Sequence, residues 1–174
     1  MARISGILCQ IITGNVAAAG TDGRVYVGIG GREFRLDSSA DDFEQRSLRE
    51  YVLGTMPNGR EVSPPQVLVR NAERNDPRQG LPLDSDNLAS SPVYLRFEPQ
   101  GAGDDWDLAF AAVLVYGAGY LTAYTLPTGF HHLWLGHASG KTVHLTSEWK
   151  RSDQALLDAG RNLATTLGAR APRT

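Results

Sequence analysis

Short stretches in which apolar and polar residues alternate recur along most of the chain, and no other feature restricts the fold as much. Residues 24–29 alternate cleanly, with Val25, Val27 and Ile29 on one face, which is the period of a half-buried β-strand. Comparable stretches occupy residues 5–13, 33–36, 47–53, 66–70, 93–98, 106–115, 120–125, 133–135 and 142–148. Because no helical pattern separates them, the sequence predicts an all-β fold: an antiparallel β-sandwich or barrel of about eight strands.

The spacing of apolar residues changes near residue 150. From there they recur at roughly the 3.6-residue period of an amphipathic helix, at Leu156, Leu157, Leu163, Ala164 and Leu167. Ser152 or Asp153 is placed to cap the start of this helix, and Gly168 is placed to end it. The chain is therefore predicted to form one β domain over residues 1–150, followed by a helix and a basic tail over residues 151–174.

Residues 55–91 are rich in proline, glycine, asparagine and aspartate. Strand patterns of the same style resume after them, so this segment is predicted to be an insertion within the domain. Within it, Asp84, Asp86 and Asn87 have the spacing that opens a calcium loop. The glycine and the distant glutamate of an EF-hand are missing, which favours an ordinary turn.

Composition excludes several classes of protein. A chain of 174 residues with a net charge of −2 is long enough for one substantial core, and its charge gives no case for nucleic-acid binding. No segment reaches the run of about 18 apolar residues that a transmembrane helix requires, and the N-terminus lacks a signal-peptide pattern. The single cysteine, Cys9, is predicted to be buried, and together these features favour a cytoplasmic protein.

Acidic residues gather in three of the predicted turns. The first holds Asp22, the second holds Asp41, Asp42 and Glu44, and the third holds Asp104 and Asp105. Their spacing alone favours solvated loop residues, with Asp37 and Asp42 capping turns. An alternative is that the loops meet at one end of the sandwich and bind a hard cation.

Several motifs, in this order along residues 5–136, resemble the PLAT family of β-sandwich domains found in lipoxygenases, animal lipases and polycystins. They are Thr13-Gly14, Ala19-Gly20-Thr21-Asp22, Val25-Tyr26-Val27, Leu36-Asp37, Asp42-Phe43-Glu44-Gln45-Arg46, Asp104-Asp105-Trp106-Asp107-Leu108, Tyr124-Thr125-Leu126-Pro127 and Leu133-Trp134-Leu135. The resemblance implies two antiparallel sheets and a non-catalytic role in binding membranes, lipids or partner proteins, often with calcium.

Carried over position by position, the family's calcium ligands fall on Asp22, Asp41, Asp42, Glu44 and Asp105, all of which are acidic here. Calcium binds six to eight oxygen atoms, so clustered carboxylates suit it. Trp134 is the match to a tryptophan that contacts a membrane or a partner. The tip of the first loop differs from the family, because it is Ala17-Ala18-Ala19 rather than a tryptophan.

Two alternatives to a calcium-dependent lipid-binding or protein-binding module stay open. The chain could be a small enzyme or small-molecule binder that uses the mouth of the sandwich with residues 55–91 as a lid. It could also be a carbohydrate-binding module, for which Tyr116, Tyr120 and Tyr124 would have to form an exposed aromatic row on one strand face.

Overall fold

Two antiparallel β-sheets face each other in the computed structural model, which describes residues 1–56, 66–67, 69–127, 132–147, 153–166 and 168. This confirms the predicted β-sandwich. The strands are β1 (Ile4–Thr13), β2 (Arg24–Ile29), β3 (Arg32–Leu36), β4 (Leu48–Gly54), β5 (Gln66–Val67), β6 (Tyr94–Glu98), β7 (Trp106–Gly117), β8 (Tyr120–Thr125), β9 (Leu133–Leu135), β10 (Thr142–His144) and β11 (Thr146–Ser147). The helices are α1 (Ser85–Ser90) and α2 (Asp153–Thr166).

The described strands divide unequally between the two sheets. The larger sheet has the order β11-β8-β7-β1-β4-β5, with β9 pairing the first residues of β7. The smaller sheet has the order β10-β6-β2-β3. All of these pairs are antiparallel except the two-residue pairing of β4 with β5, which is parallel.

Strand β1 has apolar residues on both faces, which explains why it lies near the centre of the larger sheet. Ile7, Cys9 and Ile11 point into the core between the sheets, whereas Leu8 and Ile12 belong to apolar clusters on the opposite face. Helix α2 contacts β1 and β7 and covers that opposite face. Burial raises the pKa of the Cys9 thiol, so the prediction of a buried cysteine is confirmed.

A β-bulge in β7 keeps both halves of that strand in phase with the core. Ile12 pairs with Phe110, whereas the next residue, Thr13, pairs with Leu108, so one extra residue is accommodated in β7. Trp106 and Leu108 are buried in the core between the sheets. Phe110, by contrast, packs with the apolar clusters of the outer face.

The predicted strand over residues 142–148 is two short strands in different sheets. Residues 142–144 pair with β6 in the smaller sheet, and residues 146–147 pair with β8 in the larger one. Leu145 lies between them, buried in the core, and its amide donates to the Val93 carbonyl at 2.9 Å. The chain therefore crosses from one sheet to the other at a single apolar residue.

The insertion runs along the edge formed by β3 and β4, and its residues 76–84 pack onto the end of the sandwich where β1 begins. Its carbonyl at Leu83 accepts from the amide of Ile4 at 3.0 Å. Asp84 caps α1, and its carboxylate accepts from the amides of Asp86 and Asn87. The expectation that no helix interrupts the strands is wrong, because residues 84–87 form neither a calcium loop nor an isolated turn but the capped start of six helical residues.

Helix α2 ends as predicted, because Gly168 has a φ of 68°, in the left-handed region that glycine favours, and donates its amide to the Thr165 carbonyl at 3.0 Å. The side chains of Leu156, Leu157, Leu163 and Ala164 lie outside the described structure, as do residues 57–65 and 68 of the insertion, Leu167 and the basic tail. Neither described helix has the length and hydropathy that crossing a membrane requires.

Candidate metal centre

Three loops meet at the end of the sandwich where β1 terminates, which we call the loop end. They are residues 14–23, 37–47 and 99–105. Thr21 links all three, because its amide donates to the Phe43 carbonyl at 3.3 Å and its hydroxyl donates to Oδ1 of Asp104 at 2.5 Å. The convergence of three sequence-distant loops was predicted, and hydrogen bonds between the loops produce it.

Asp22, Asp41 and Glu44 lie together at the loop end. One carboxylate oxygen from each lies within 4.8 Å of the others, and the three side chains are exposed. No second group of three or more potential metal ligands was found among the residues that the structure describes. Partial burial raises the pKa of Glu44, and the neighbouring charges of Asp41 and Asp22 raise it further. The three carboxylates therefore repel one another, and a cation between them would offset that repulsion.

Asp42 lies beside this cluster but makes other contacts. Its side chain is 8% exposed, and Arg49 lies 3.6 Å from Oδ1. Its Oδ2 accepts from the amide of Ser38 at 2.6 Å, and its Oδ1 accepts from the Ser38 hydroxyl at 2.7 Å. Asp42 thus caps the turn of residues 38–42, which is the role that spacing alone favoured for it.

The third loop does not bring its expected ligand into the cluster. The carboxylate of Asp105 lies against Cα of Gly136, so closely that a Cβ at that glycine would overlap it. Asp104 points toward the first loop instead, but its oxygens accept from Thr21 and from the amide of Gln100. The structure therefore gathers Asp22, Asp41 and Glu44, and not Asp42 or Asp105, from the set that the PLAT resemblance implies.

A cleft of about 200 Å³ opens beside the cluster. Asp22 and Asp41 line it on one side, and Arg24 and Arg35 line it as well. Arg24 pairs with Glu98 at 3.6 Å, and Arg35 pairs with Asp37 at 3.2 Å. The cleft is thus lined by charges of both signs.

Arg49 is a site residue that the sequence analysis missed. It lies on β4, its side chain is 5% exposed, and its guanidinium donates to the Asp41 carbonyl at 2.8 Å. The signal was available, because in an alternating strand Arg49 shares a face with Tyr51 and Leu53, both of which are in the core. A charged residue on a core-facing position requires a partner.

The exposed residues at the loop end are small. Val16 is 37% exposed, and Ala17 and Ala18 are exposed beside it. Trp134, predicted to contact a membrane or partner, is half-buried on β9 opposite Asp107 of β7. Because that pairing involves the first residues of β7, Trp134 lies near the loop end, and its predicted contact stays a prediction.

The tyrosine row proposed for carbohydrate binding does not form. Tyr116 is 3% exposed and packs in an apolar cluster of the outer face. Tyr120 and Tyr124 pack against the core between the sheets instead. The three rings therefore do not share one exposed face.

A second cavity, of about 570 Å³, lies between the end of β4 and residues 69–79 of the insertion. Two of the ionic groups that line it form a pair: Arg78 Nη2 lies 2.6 Å from Oδ2 of Asp76, and the contacts with Arg78 hold the pKa of Asp76 below its usual value. The insertion reaches the second acidic loop, because the Arg70 amide donates to the Asp37 carbonyl at 2.8 Å, but none of its described residues lines the cleft beside the cluster.

No family model matches the chain, and no curated protein does. Solved structures do. Alpha toxin from Clostridium absonum matches with 21% identity and a TM-score of 0.51, over 83% of this chain and 32% of the toxin. The toxin match shows a shared fold and carries no evidence of activity, because the identity is low.

Two lipoxygenases match less closely. Coral 8R-lipoxygenase, described as activated by calcium through a C2-like domain, has 16% identity and a TM-score of 0.47, over 92% of this chain and 20% of the enzyme. A lipoxygenase in complex with arachidonate has 15% identity and a TM-score of 0.48, over 90% of this chain and 19% of the enzyme. This chain thus spans about a third of the toxin and about a fifth of each of these two lipoxygenases.

Proposed function

We propose that this chain is a non-catalytic binding module that takes a calcium ion between Asp22, Asp41 and Glu44 and then binds a lipid surface with its loop end. The observation that carries the proposal is the meeting of three exposed carboxylates from two separate loops within 4.8 Å. Neither loop alone supplies all three residues, so the arrangement depends on the fold.

The residues present fit calcium in number and in chemistry. Three carboxylates offer at most six oxygens, and calcium takes six to eight at about 2.3–2.6 Å, completed by water or by a ligand. All three ligands are hard oxygen donors, which suit calcium better than zinc or copper. Burial raises the pKa of Glu44, and the charges of Asp41 and Asp22 raise it further; a divalent ion between the three carboxylates would offset that repulsion.

A lipid surface suits the loop end because the calcium ion would retain open coordination positions. Phosphate oxygens of anionic lipids could fill them, while Val16 and its alanine neighbours, which are exposed, would make a shallow apolar contact. Trp134, half-buried on β9, would then contact the lipid headgroups, as tryptophan does at membrane interfaces.

Calcium binding is tested by thermal unfolding in calcium and in excess chelator. We expect calcium to stabilise the wild type by about 2.7 kcal/mol at a hundredfold excess over Kd. Asp22→Asn, Asp41→Asn and Glu44→Gln should lose this gain, whereas Asp105→Asn, whose carboxylate lies at Gly136, should keep it. No stabilisation at millimolar calcium, or a gain that survives in the three variants, would contradict the proposal.

Lipid binding is tested by sedimentation with vesicles of phosphatidylcholine alone or with phosphatidylserine. We expect binding to the mixed vesicles in calcium and release by chelator. Val16→Asp, at an exposed position, should weaken binding while leaving calcium affinity unchanged. A protein that binds calcium but no vesicle would instead recognise a protein partner.

A further inference from the structure

Arg49 lies directly behind the acidic cluster. Its guanidinium donates through Nη2 to the Asp41 carbonyl at 2.8 Å and through Nη1 to the Leu48 carbonyl at 3.1 Å, and its Nε lies 3.6 Å from Oδ1 of Asp42. Arg49 therefore holds the backbone of one cluster residue and the side chain of its neighbour at the same time.

The loop of residues 37–44 depends on this guanidinium. Asp42 accepts from the amide and the hydroxyl of Ser38, and the Ser38 hydroxyl in turn accepts from the amide of Ala40 at 3.1 Å. These contacts form a closed turn that is joined to β4 through Arg49. The turn is what places Asp41 and Glu44 at the loop end, across from Asp22.

Burying the charged side chain of Arg49 costs desolvation free energy. Its side chain is 5% exposed, and its Nε has no hydrogen-bond partner in the described structure. Replacing a buried ion pair by well-packed apolar residues is often neutral or stabilising. Stability alone therefore does not account for an arginine at this core-facing position.

We propose that Arg49 is a positioning residue for the cation site, which fixes the Asp41 backbone so that the three carboxylates meet before a cation is bound. This inference rests on the proposed function. The same guanidinium places a positive charge beside the Asp42 carboxylate and behind the Asp41 backbone.

The test is the calcium affinity of Arg49→Lys, measured calorimetrically at a temperature where every variant is folded. Lysine keeps the charge but cannot bond Asp41, Leu48 and Asp42 together, so a loss of affinity reports geometry. We expect calcium affinity to fall about 10- to 100-fold, as it does when a residue that holds a metal ligand in place is replaced. Arg24→Lys is the matched control, because Arg24 lines the same cleft but pairs with Glu98 outside the loop, and it should change affinity less than about threefold.

A second variant and a calcium-free readout keep the inference testable on its own. Ser38→Ala removes one hydrogen bond to Asp42, so it should lower calcium affinity less than Arg49→Lys does. If Arg49→Lys does not fold, Ser38→Ala becomes the test of the inference. In calcium-free protein, Arg49→Lys should speed hydrogen exchange at the amides of Ser38 and Ala40 but not within β1. Unchanged exchange, or unchanged affinity in both variants, would overturn the inference. A wild type that binds no calcium would overturn the proposed function and with it the role of Arg49 in a cation site, and an exchange effect would then show only that Arg49 holds the loop.

Discussion

Glu44 is the residue at which the repulsion within the cluster has a measurable consequence. Partial burial, then Asp41 and Asp22, raise its pKa above the ordinary value of 4.5. A carboxyl group with a raised pKa binds its proton more tightly in the folded state than in the unfolded state. Without a cation, the free energy of unfolding should therefore fall as pH rises from about 4.5 through the raised pKa.

Glu44→Gln should consequently stabilise the calcium-free protein at pH 7. The gain should be less than about 1 kcal/mol, because the side chain is exposed and solvent screens the repulsion. At pH 3 the wild-type carboxyl is protonated in both states, so the two proteins should unfold alike. Urea unfolding at both pH values measures this, and Glu73→Gln, an exposed glutamate of the insertion, is the control. Equal stability of Glu44→Gln and wild type at pH 7 would contradict the electrostatic account.

At the scale of single residues, the sequence predicted which acidic residues lie in the loops, but not which of them join the cluster and which cap a turn. Asp41 and Asp42 are adjacent and identical in type, so no spacing rule separates a cluster residue from a turn cap. The separation comes from Ser38 and Arg49, which bind the Asp42 carboxylate. Such contacts depend on backbone geometry, which a motif does not encode.

At the scale of elements, α2 docks on the larger sheet over a buried polar group. Glu50 of β4 accepts from Nε2 of Gln10 at 2.7 Å and from Nη2 of Arg161 in α2 at 3.1 Å. Burial raises the pKa of Glu50, while Gln10 and Arg161 act against that rise. Gly160 lies directly over these groups, because a Cβ there would overlap the Gln10 amide and come 2.7 Å from the Phe110 ring.

Gly160→Ala should therefore destabilise the protein, although alanine is the better helix former. The gain in helix propensity is at most about 1 kcal/mol, whereas overpacking a tight contact costs about 1–3 kcal/mol, and here it also displaces Gln10 from Glu50. Denaturant unfolding should show a net loss. Thr165→Ala, at an exposed position of the same helix, should be neutral or slightly stabilising. A more stable Gly160→Ala would mean that α2 is not docked closely at this point.

Strand patterns predicted the elements well where alternation was long, and less well where one run of residues serves two sheets. The start and end of β2 and β8 match the alternating stretches. The run over residues 142–148 instead divides at Leu145, because β10 and β11 pair with strands of different sheets. Pairing partners are long-range, so a local pattern could not predict that division.

At the scale of the whole molecule, the sandwich has two differently built ends. The loop end carries the acidic cluster, and the other end carries residues 76–84 of the insertion. Arg32 at the start of β3 fixes that part: it donates to the carbonyls of Leu81 at 2.8 Å, Pro77 at 3.2 Å and Asp76 at 3.3 Å. The sequence predicted an insertion but not that Arg32 holds it. The backbone carbonyls that Arg32 binds lie over 40 residues away, and such contacts have no sequence motif.

Arg32→Ala should therefore loosen the insertion without changing the cation site. Hydrogen bonds from a charged donor are each worth about 1.5–3 kcal/mol, but Arg32 is partly exposed, so a total loss of about 1–3 kcal/mol is expected. Limited proteolysis should become faster within residues 70–84, while circular dichroism keeps its β signal. Arg74→Ala, at an exposed position of the same segment, is the control and should cleave like the wild type.

Calcium affinity in Arg32→Ala decides whether the two ends act independently. Asp22 and Glu44 belong to loops at the opposite end of β2 and β3 from Arg32, and sites that share no partners are usually additive. We therefore expect the affinity to stay within about twofold of the wild type while the insertion loosens. A large drop in affinity would couple the insertion to the cluster, for which the bond from the Arg70 amide to the Asp37 carbonyl offers a path, and would restore the possibility that residues 55–91 take part in ligand binding.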